Sequence, residues 1–551
     1  MAPAFLKRFR SVCLIGLHQS APLSNLSVTK PSYYDVSIIG GGPAGSAAAR
    51  LLASWGHSVI LLDRTHSAMS LAESLPPSCR KLFDVLGVTA LIDDAKFYRS
   101  SGNTVWWEDR EPRSEIFVDG LKGHQVLRRD FDQLLLSCAE TAGASVLRKA
   151  NVKQVNLGRP SEKTSTSDLI SWPISDNHQA NVRIEYDDEI GHRQILTSRF
   201  TLDCSGRAGV IAKQGFRAHQ DSPDTLALVG VWQCDTRWPL EEPSHTLVEA
   251  FESGWAWSVP VSDSIRYFTV MLDPKLTRVA RDTSAESVYQ RELRKTEHCS
   301  NLTAAATLQQ RPWGCDASLY TARRFAGSNF LLVGDAASFI DPLSSFGVKK
   351  ALASGWMAAI VAHTALTQPK MHKAAFELFE SREREVYTSY VGQSASYFKN
   401  ALTQAQHPFW TGRASSFDDL AVVNSGYPDV EQLRRDQKVL SAFEALKQSS
   451  AIALRPTSAF RLTRRAVISG RSVVFEDQVI LGEGSEDIQA TCFLRGVNLV
   501  RLVEMASSHR QVPDLYEAYN RECAPVNLPD FLGALSVLLA FGILENAECQ
   551  I

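Results

Sequence analysis

The sequence predicts an α/β fold: a parallel βαβ unit, an interleaved antiparallel sheet, and a small C-terminal α+β module. Three observations predict it. A short β-branched run over 35–39 stops at a cluster of glycines, then passes through a helix-forming stretch into a second apolar run over 59–62. Strand-like segments without helical periodicity recur near 104–107, 225–234, 255–261 and 267–272. Towards the C-terminus the pattern shortens to a hairpin over 473–481 and three amphipathic helices near 495–508, 512–523 and 528–541.

The first unit is justified residue by residue. Residues 35–39 read as a buried parallel strand, 44–55 as a helix ended by Gly56, and 59–62 as a second buried strand, a right-handed crossover by the usual rule. Beyond it, 128–143 reads as a helix and 159–179, rich in Ser, Thr, Asp and Pro, as an exposed loop. A strand over 200–204 runs into Ser205-Gly206-Arg207, and another over 330–333 runs into a glycine turn and a long helix over 348–366. Helical patterns resume over 374–404 and 429–448. The predicted organisation is a leader over 1–33, a nucleotide-binding domain over 34–455 with inserted strands within 95–125 and 215–325, and a module over 456–551.

Composition narrows the function class. The chain has 551 residues, 44% hydrophobic and 21% charged, which is the make-up of an ordinary globule. A net charge of -2 gives no electrostatic basis for nucleic-acid binding. The 10 cysteines are scattered, none at CxxC spacing, so no zinc knuckle or dithiol centre is encoded locally. A reduced, cytoplasmic protein is the simplest expectation. No acid precedes Asp35, whereas Lys7, Arg8, Arg10 and Lys30 do, so 1–33 is expected to be a disordered leader, with a targeting peptide as the alternative. No stretch reaches the ~18 apolar residues of a membrane span.

The glycines carry the first chemistry. In Gly40-Gly41-Gly42-Pro43-Ala44-Gly45, Gly40 makes a tight turn, Gly42 lets the backbone approach a pyrophosphate, and Gly45 lets helix and strand pack closely. The helix N-terminus then offers free N–H groups to the phosphates. Asp63, with Arg64 beside it, closes the second strand where an acid accepts ribose hydroxyls. This is a Rossmann-like dinucleotide site, and by itself it does not separate NAD from FAD.

A second motif separates them. Phe330-Leu-Leu-Val-Gly334-Asp335-Ala-Ala-Ser-Phe-Ile-Asp341-Pro342-Leu-Ser-Ser-Phe-Gly347-Val348 resembles the Gly-Asp-Ala segment of the p-hydroxybenzoate hydroxylase-like flavoproteins. The resemblance implies FAD, with Asp335 on its ribityl chain and the helix starting at Gly347 and Val348 aimed at the flavin pyrimidine edge. Within that superfamily the Gly-Asp-Ala-Ala-x-Phe-Ile-Asp-Pro-Leu run is similar to the flavin-dependent halogenase branch. Glu73-Ser74-Leu75-Pro76-Pro77 resembles its Gly-Glu-Ser-x-x-Pro segment, with Ala72 in place of the glycine. Arg128-Arg129-Asp130-Phe131-Asp132 resembles its Arg-x-x-Phe-Asp element, whose first arginine helps hold FAD. Trp255-Ala-Trp257-Ser-Val-Pro260 matches its Trp-x-Trp-x-Ile-Pro signature, placing Trp255, Trp257 and Pro260 at the substrate pocket. By position, Asp341 is the candidate acid/base, and an Asp capping a turn before Pro342 is the equal alternative.

One departure changes the expected reaction. Halogenases place a lysine shortly before the first inserted strand to guide hypohalous acid, and here Ser100 or Asn103 stands in its place; Lys96 and Arg99 are out of register. The same framework without the lysine suits a hydroxylase, in which reduced FAD and O₂ deliver oxygen to an aromatic ring. The whole chain resembles the halogenase-like flavoprotein monooxygenases that hydroxylate tryptophan in tryptophylquinone cofactor biogenesis, a post-translational modification. Its tail resembles modules that grip peptide precursors, and a simple helical cap is the alternative. The expected function is FAD-dependent aromatic hydroxylation, of a small molecule or of a tryptophan side chain in a peptide or protein. The alternatives are a halogenase with a displaced lysine and a non-catalytic flavin-bound maturation chaperone. Only one dinucleotide motif is present, so electrons come from transient NAD(P)H or from a separate flavin reductase.

Overall fold

The computed structural model describes residues 33–64, 69–108, 111–158, 182–219, 222–277, 284–403, 405–416, 430–449, 451–481 and 489–547. The expected leader (but for its last residue) and the expected polar loop over 159–179 lie outside the described residues.

Tyr33–Ile39 sits at the middle of the nucleotide-binding sheet because both its faces are covered and five of its seven residues are buried. It pairs in parallel with Val59–Asp63 on one side and Arg193–Asp203 on the other, and Phe330–Leu332 pairs in parallel beyond the latter. Helix Pro43–Ser54 crosses over between the first two strands. The long helix Gly347–Thr367 packs on it so closely that a Cβ at Gly355 would stand 2.3 Å from the Ala44 carbonyl oxygen. Glycine there lets two helix backbones touch.

The inserted sheet runs in the order Thr307–Leu308, Leu226–Gln233, Ile265–Leu272, Gly254–Pro260, Thr246–Phe251, Gly102–Trp106, Arg113–Ile116. It is antiparallel except at one joint, where Thr246–Phe251 pairs in parallel with Gly102–Trp106 and so joins the two inserted segments. The strand at that joint was missing from the sequence expectation. Its alternation is broken, with the acid Glu249 buried to cap Glu297, His298 and Cys299 by accepting their backbone N–H groups.

Two secondary-structure expectations for the C-terminal region, the hairpin over 473–481 and the helix over 429–448, need correction. The hairpin is Leu462–Ser469 with Ser472–Leu481, turning at Gly470 (φ 60°), so the expected 473–481 is only its second strand. The first strand is half-exposed, and its apolar run Ala466–Ile468 is short and preceded by Arg464 and Arg465, so it does not read as a strand. The C-terminal core also draws on Leu433, Val439 and Leu446, ahead of the expected boundary at 456. The predicted helix over 429–448 is two helices, Val430–Arg435 and Gln437–Gln448, because Asp436 turns its side chain back to cap Lys438 and Val439. The inner end of the hairpin belongs elsewhere: Val473 is buried in the main core, with Ala466 and Ile468 packed against it.

Candidate active site

Gly40 and Gly45 stand where no side chain fits. Gly40 has φ +106°, and a Cβ on it would lie 2.3 Å from the Cys204 carbonyl oxygen; one on Gly45 would lie 2.0 Å from the Gly40 carbonyl oxygen. A Cβ on Gly42 would meet nothing nearer than Arg128 Nη2 at 3.9 Å, so Gly42 faces open space beside a guanidinium. Pro43 takes the first helical position, where its missing N–H is no loss. Asp63 accepts the Gly41 N–H at 3.1 Å, which ties the end of the second strand to the turn.

That turn opens into a cavity of about 340 Å³. Gly42, Pro43, Ala44, Glu73 and Arg128 line one end, and Asp335, Pro342, Gly347 and Val348 line the other. The inserted sheet roofs it with Ala227, Val229, Trp257, Thr269 and Met271. Register explains the roof: Thr269 pairs with both Val229 and Trp257, and Met271 with Ala227, so these side chains share one face. Trp257 Nε1 is buried with no hydrogen-bond partner among the described residues.

Charge is concentrated at the turn end. Arg128 donates to both carboxylate oxygens of Asp132, at 3.1 and 3.0 Å, and lies 3.6 Å from Glu73. Burial acts to lower the pKa of Arg128, but the carboxylates around it prevail and raise it. Burial pushes Glu73 up, Arg128 pulls it back, and Asp335 and Asp132 add to the rise. Under the Gly334 turn, Lys350 buries its ammonium on the Gly334 and Ser338 carbonyl oxygens, at 3.1 and 2.5 Å. Ser354 accepts the Gly334 N–H at 2.9 Å. Sequence reasoning missed both, since a lysine inside an apolar helix reads as solvent-facing. Arg207 was seen only as the end of a strand; it lines the cavity, stacks over Phe339 at 4.1 Å and pairs with Asp316 at 2.7 Å.

A second cavity, of about 280 Å³, lies behind a partition. The partition is the loop after Asp341, which presents Pro342, Gly347 and Val348 to the first cavity and Leu343, Ser344 and Phe346 to the second. Ser345 touches both, held at φ 52° in the left-handed region. Trp107, Phe117 and Tyr397 supply aromatic walls, and Trp107 Nε1 is fixed by donating to the Tyr397 carbonyl oxygen at 2.8 Å. Asn103, Glu108, Arg113 and Glu115 supply the polar ones.

Several predicted site residues fall elsewhere. Ser74, expected to touch the cofactor, lines the second cavity, and its hydroxyl accepts from Thr246. Arg64 lines neither cavity, and Gly334 shapes the turn rather than the wall. Asp341 also lines neither: its carboxylate accepts the Leu343 N–H at 2.9 Å and caps the turn Pro342–Ser344. Of the tryptophans, Trp257 walls the first cavity, while Trp255 is buried against Trp107 at 6.2 Å. Pro260 lines neither cavity, because it ends its strand opposite Arg266, away from the roof residues.

Comparison with known proteins agrees with this geometry. The FAD binding domain family matches residues 33–354, more than half of the chain. The chain belongs to that family. It is 27% identical over 412 residues to a tryptophan 2-halogenase of Chondromyces crocatus, covering 73% of this chain and 75% of that one. Among solved structures, the flavin-dependent halogenase CmlS matches with a TM-score of 0.69 at 21% identity, covering 94% of this chain and 97% of that one. The peptidyl tryptophan dihydroxylase QhpG matches with a TM-score of 0.61 at 19% identity, covering 93% and 99%. Both matches run through the C-terminal module, so the module belongs to a fold shared by a halogenase and a hydroxylase. This flavoprotein is therefore a halogenase-like member of the FAD monooxygenases, an oxidoreductase.

The residues present fit FAD. The open space at Gly42, the Arg128 guanidinium beside it and the free N–H groups of Pro43–Ser54 suit a pyrophosphate. Asp335 and the N-terminus of Gly347–Thr367, both on the cavity wall, would face the ribityl chain and an electron-rich ring edge. Asp63, by contrast, lines neither cavity and spends its carboxylate on the Gly41 N–H.

Proposed function

We propose that this flavoenzyme hydroxylates an aromatic ring held in the second cavity, and that the ring is a tryptophan indole carried by a peptide or protein. The observation that carries the reading is that neither candidate for the lysine's place, Ser100 or Asn103, is basic. Ser100 is fully buried and donates its hydroxyl to the Gly102 carbonyl oxygen at 3.1 Å, and no lysine lines either cavity among the described residues. An enzyme that passes hypohalous acid to a substrate uses an ammonium between flavin and substrate; this one offers none there.

The cofactor supplies the oxygen chemistry when reduced, drawing electrons from NAD(P)H or a flavin reductase and oxygen from O₂. One oxygen atom is added to the ring, the ring hydrogen leaves as a proton, and the second oxygen atom leaves as water with the two electrons. The chain's own residues position the reactants. The 342–347 loop lies between the two cavities, and Ser345, which lines both, marks where the ring must meet the flavin for oxygen to pass. Trp107, Phe117 and Tyr397 hold the ring, and the Glu108 or Glu115 carboxylate takes the released proton.

The relatives' names favour halogenation as the second reading. One experiment separates the two: FAD-loaded enzyme, reduced chemically, is given ¹⁸O₂, bromide and tryptophan-containing peptides. Incorporation of ¹⁸O without any need for bromide is expected. A product that carries bromine and forms only when bromide is present overturns the reading.

A further inference from the structure

The strand Arg113–Ile116 is the last of the inserted sheet, with Gly102–Trp106 as its one neighbour among the described residues. All four of its residues are exposed. Its ladder has a definite polarity. Phe117 donates its N–H to the Ser101 carbonyl oxygen, and Gly102 pairs with Ile116, Asn103 with Glu115, Thr104 with Ser114 and Val105 with Arg113. Main-chain groups alternate in direction along an antiparallel pair. Those of Arg113 and Glu115 therefore point inward, at Gly102–Trp106, and those of Ser114 and Ile116 point outward, into open space.

Side chains alternate too. Arg113 and Glu115 stand on the face that lines the second cavity, beside Asn103 and Val105. This strand is thus the outer wall of the cavity as well as an open edge. Such an edge is a template for a further strand, and natural proteins usually blunt it with lysine, proline or a bulge. Here the strand is four residues long, follows Pro112 and keeps its charges, Arg113 and Glu115, on the cavity face. No lysine, proline or bulge falls at Ser114 or Ile116, whose main-chain groups point outward. The apolar side chains Ile116, Val118 and Leu121 are 66%, 75% and 53% exposed along the same margin.

We infer that a polypeptide substrate docks as an added strand on the outer edge of Arg113–Ile116, pairing with the main chain of Ser114 and Ile116. The inference rests on the proposed reading that the ring to be oxygenated belongs to a polypeptide. Its residue opposite Glu115 or Arg113 then projects on the cavity face, and that position delivers the aromatic side chain between Trp107, Phe117 and Tyr397. Ile116, Val118 and Leu121 hold the flanking residues. A free amino acid lacks the main chain to use this edge, so the edge selects for polypeptides by their backbone and the cavity for one residue by its ring. The C-terminal hairpin serves this purpose less well, because its inner end is packed on the main core.

The test uses the full-length, FAD-loaded protein and a library of eleven-residue peptides with a central tryptophan. Binding is read by hydrogen exchange and by affinity, which do not depend on the product. Peptide addition is expected to protect the Ser114 and Ile116 amides. Ser114→Pro removes one outward N–H without touching the inward ladder, and proline is tolerated on an edge strand. It is expected to weaken peptide binding by about tenfold, the loss of roughly one hydrogen bond and its neighbour's alignment, with N-acetyltryptophanamide turnover and melting temperature unchanged. Ser114→Ala, which keeps the N–H, is expected to behave as wild type. Peptides that bind Ser114→Pro and Ile116→Pro as well as wild type, protection that appears elsewhere, or a library that does not bind at all would each overturn the inference. If peptides bind this edge but emerge brominated, the docking site stands and the hydroxylase reading falls.

Discussion

Val473 donates its backbone N–H to the Thr364 hydroxyl at 2.9 Å, across 109 residues of sequence, where both are fully buried. The C-terminal hairpin is thereby fastened to the helix whose other end, Gly347, faces the flavin cavity. Thr364 donates its hydroxyl to the Ile360 carbonyl oxygen at 2.8 Å, so it is satisfied on both sides. Thr364→Val should leave the Val473 N–H unsatisfied and destabilise the protein by about 1–3 kcal/mol. Ending the chain at Gly470 should cost more, because it also uncovers the apolar helix face, and the loss should appear in the melting of the FAD-binding domain itself. A truncated protein that melts like the full chain would show that the hairpin is only an appendage.

Gly42 and Gly45 should fail in different ways. Gly42→Leu places its side chain in the open space beside Arg128, so circular dichroism and melting should stay near wild type while the flavin absorbance is lost. Gly45→Leu drives atoms into the Gly40 backbone and should cost the fold, with little soluble protein recovered. Equal behaviour of the two would deny the pyrophosphate cradle.

Arg128 hydrogen-bonds Asp132 and lies 3.6 Å from Glu73, with the charge of Asp335 also acting on it. Arg128→Gln should weaken FAD binding by at least about tenfold, the effect of losing one charge-assisted contact. Without the guanidinium, Glu73 loses the influence that lowers its pKa, so its carboxyl rises further and holds a proton to higher pH. FAD affinity of the variant should therefore recover as pH falls, and adding Glu73→Gln should remove most of that pH dependence. Fluorescence titration of FAD from pH 5 to 9 reads both effects.

Burial raises Asp341 from 3.8 to about 6, against the opposing pull of the Leu343 N–H and of Arg413. A carboxyl raised in the folded state favours its neutral form there. Its contribution is therefore complete below the unfolded value and is lost as pH climbs through about 6. Asp341→Asn keeps an acceptor for Leu343 and should flatten the stability profile between those values. Since Asp341 caps a turn and lines neither cavity, the same variant should keep turnover within severalfold of wild type. Abolished turnover with FAD bound and fold intact would restore it as an acid/base.

Ser100→Lys should not create a halogenase. Ser100 is fully buried and lines neither cavity, so a lysine there must bury its ammonium or distort the strand Tyr98–Ser100. The expected result is a lower melting temperature and no brominated peptide in the presence of bromide. Asn103→Lys reaches the second cavity and is the fair control. Bromination by the Ser100 variant alone would mean that the rest of a halide route is already in place.

The βαβ unit was legible because local rules govern it. Gly40, Gly45 and Asp63 answer to a turn, a close approach and a strand end, all of which act within a few tens of residues. The C-terminal helices were legible for the same reason: their apolar residues recur at helical spacing, and two of the three open on a capping side chain, Asn498 or Asn527. The hairpin's first strand was not, because its residues are half-exposed and owe their conformation to the strand beside them.

By itself, the sequence determined the FAD-binding fold and the glycine turn that opens it. These depend on residue type and short-range spacing. Only the tertiary structure decided that Asp341 caps a turn, that Ser74 faces the second cavity, and that Trp255 is packed away while Trp257 walls the first. It also brought Asn103, Arg113 and Glu115 together with Tyr397, nearly three hundred residues on, around one cavity. The physical reason is that the direction of a side chain is set by strand register and loop path. Both are fixed by partners far along the chain, and no window of sequence contains them.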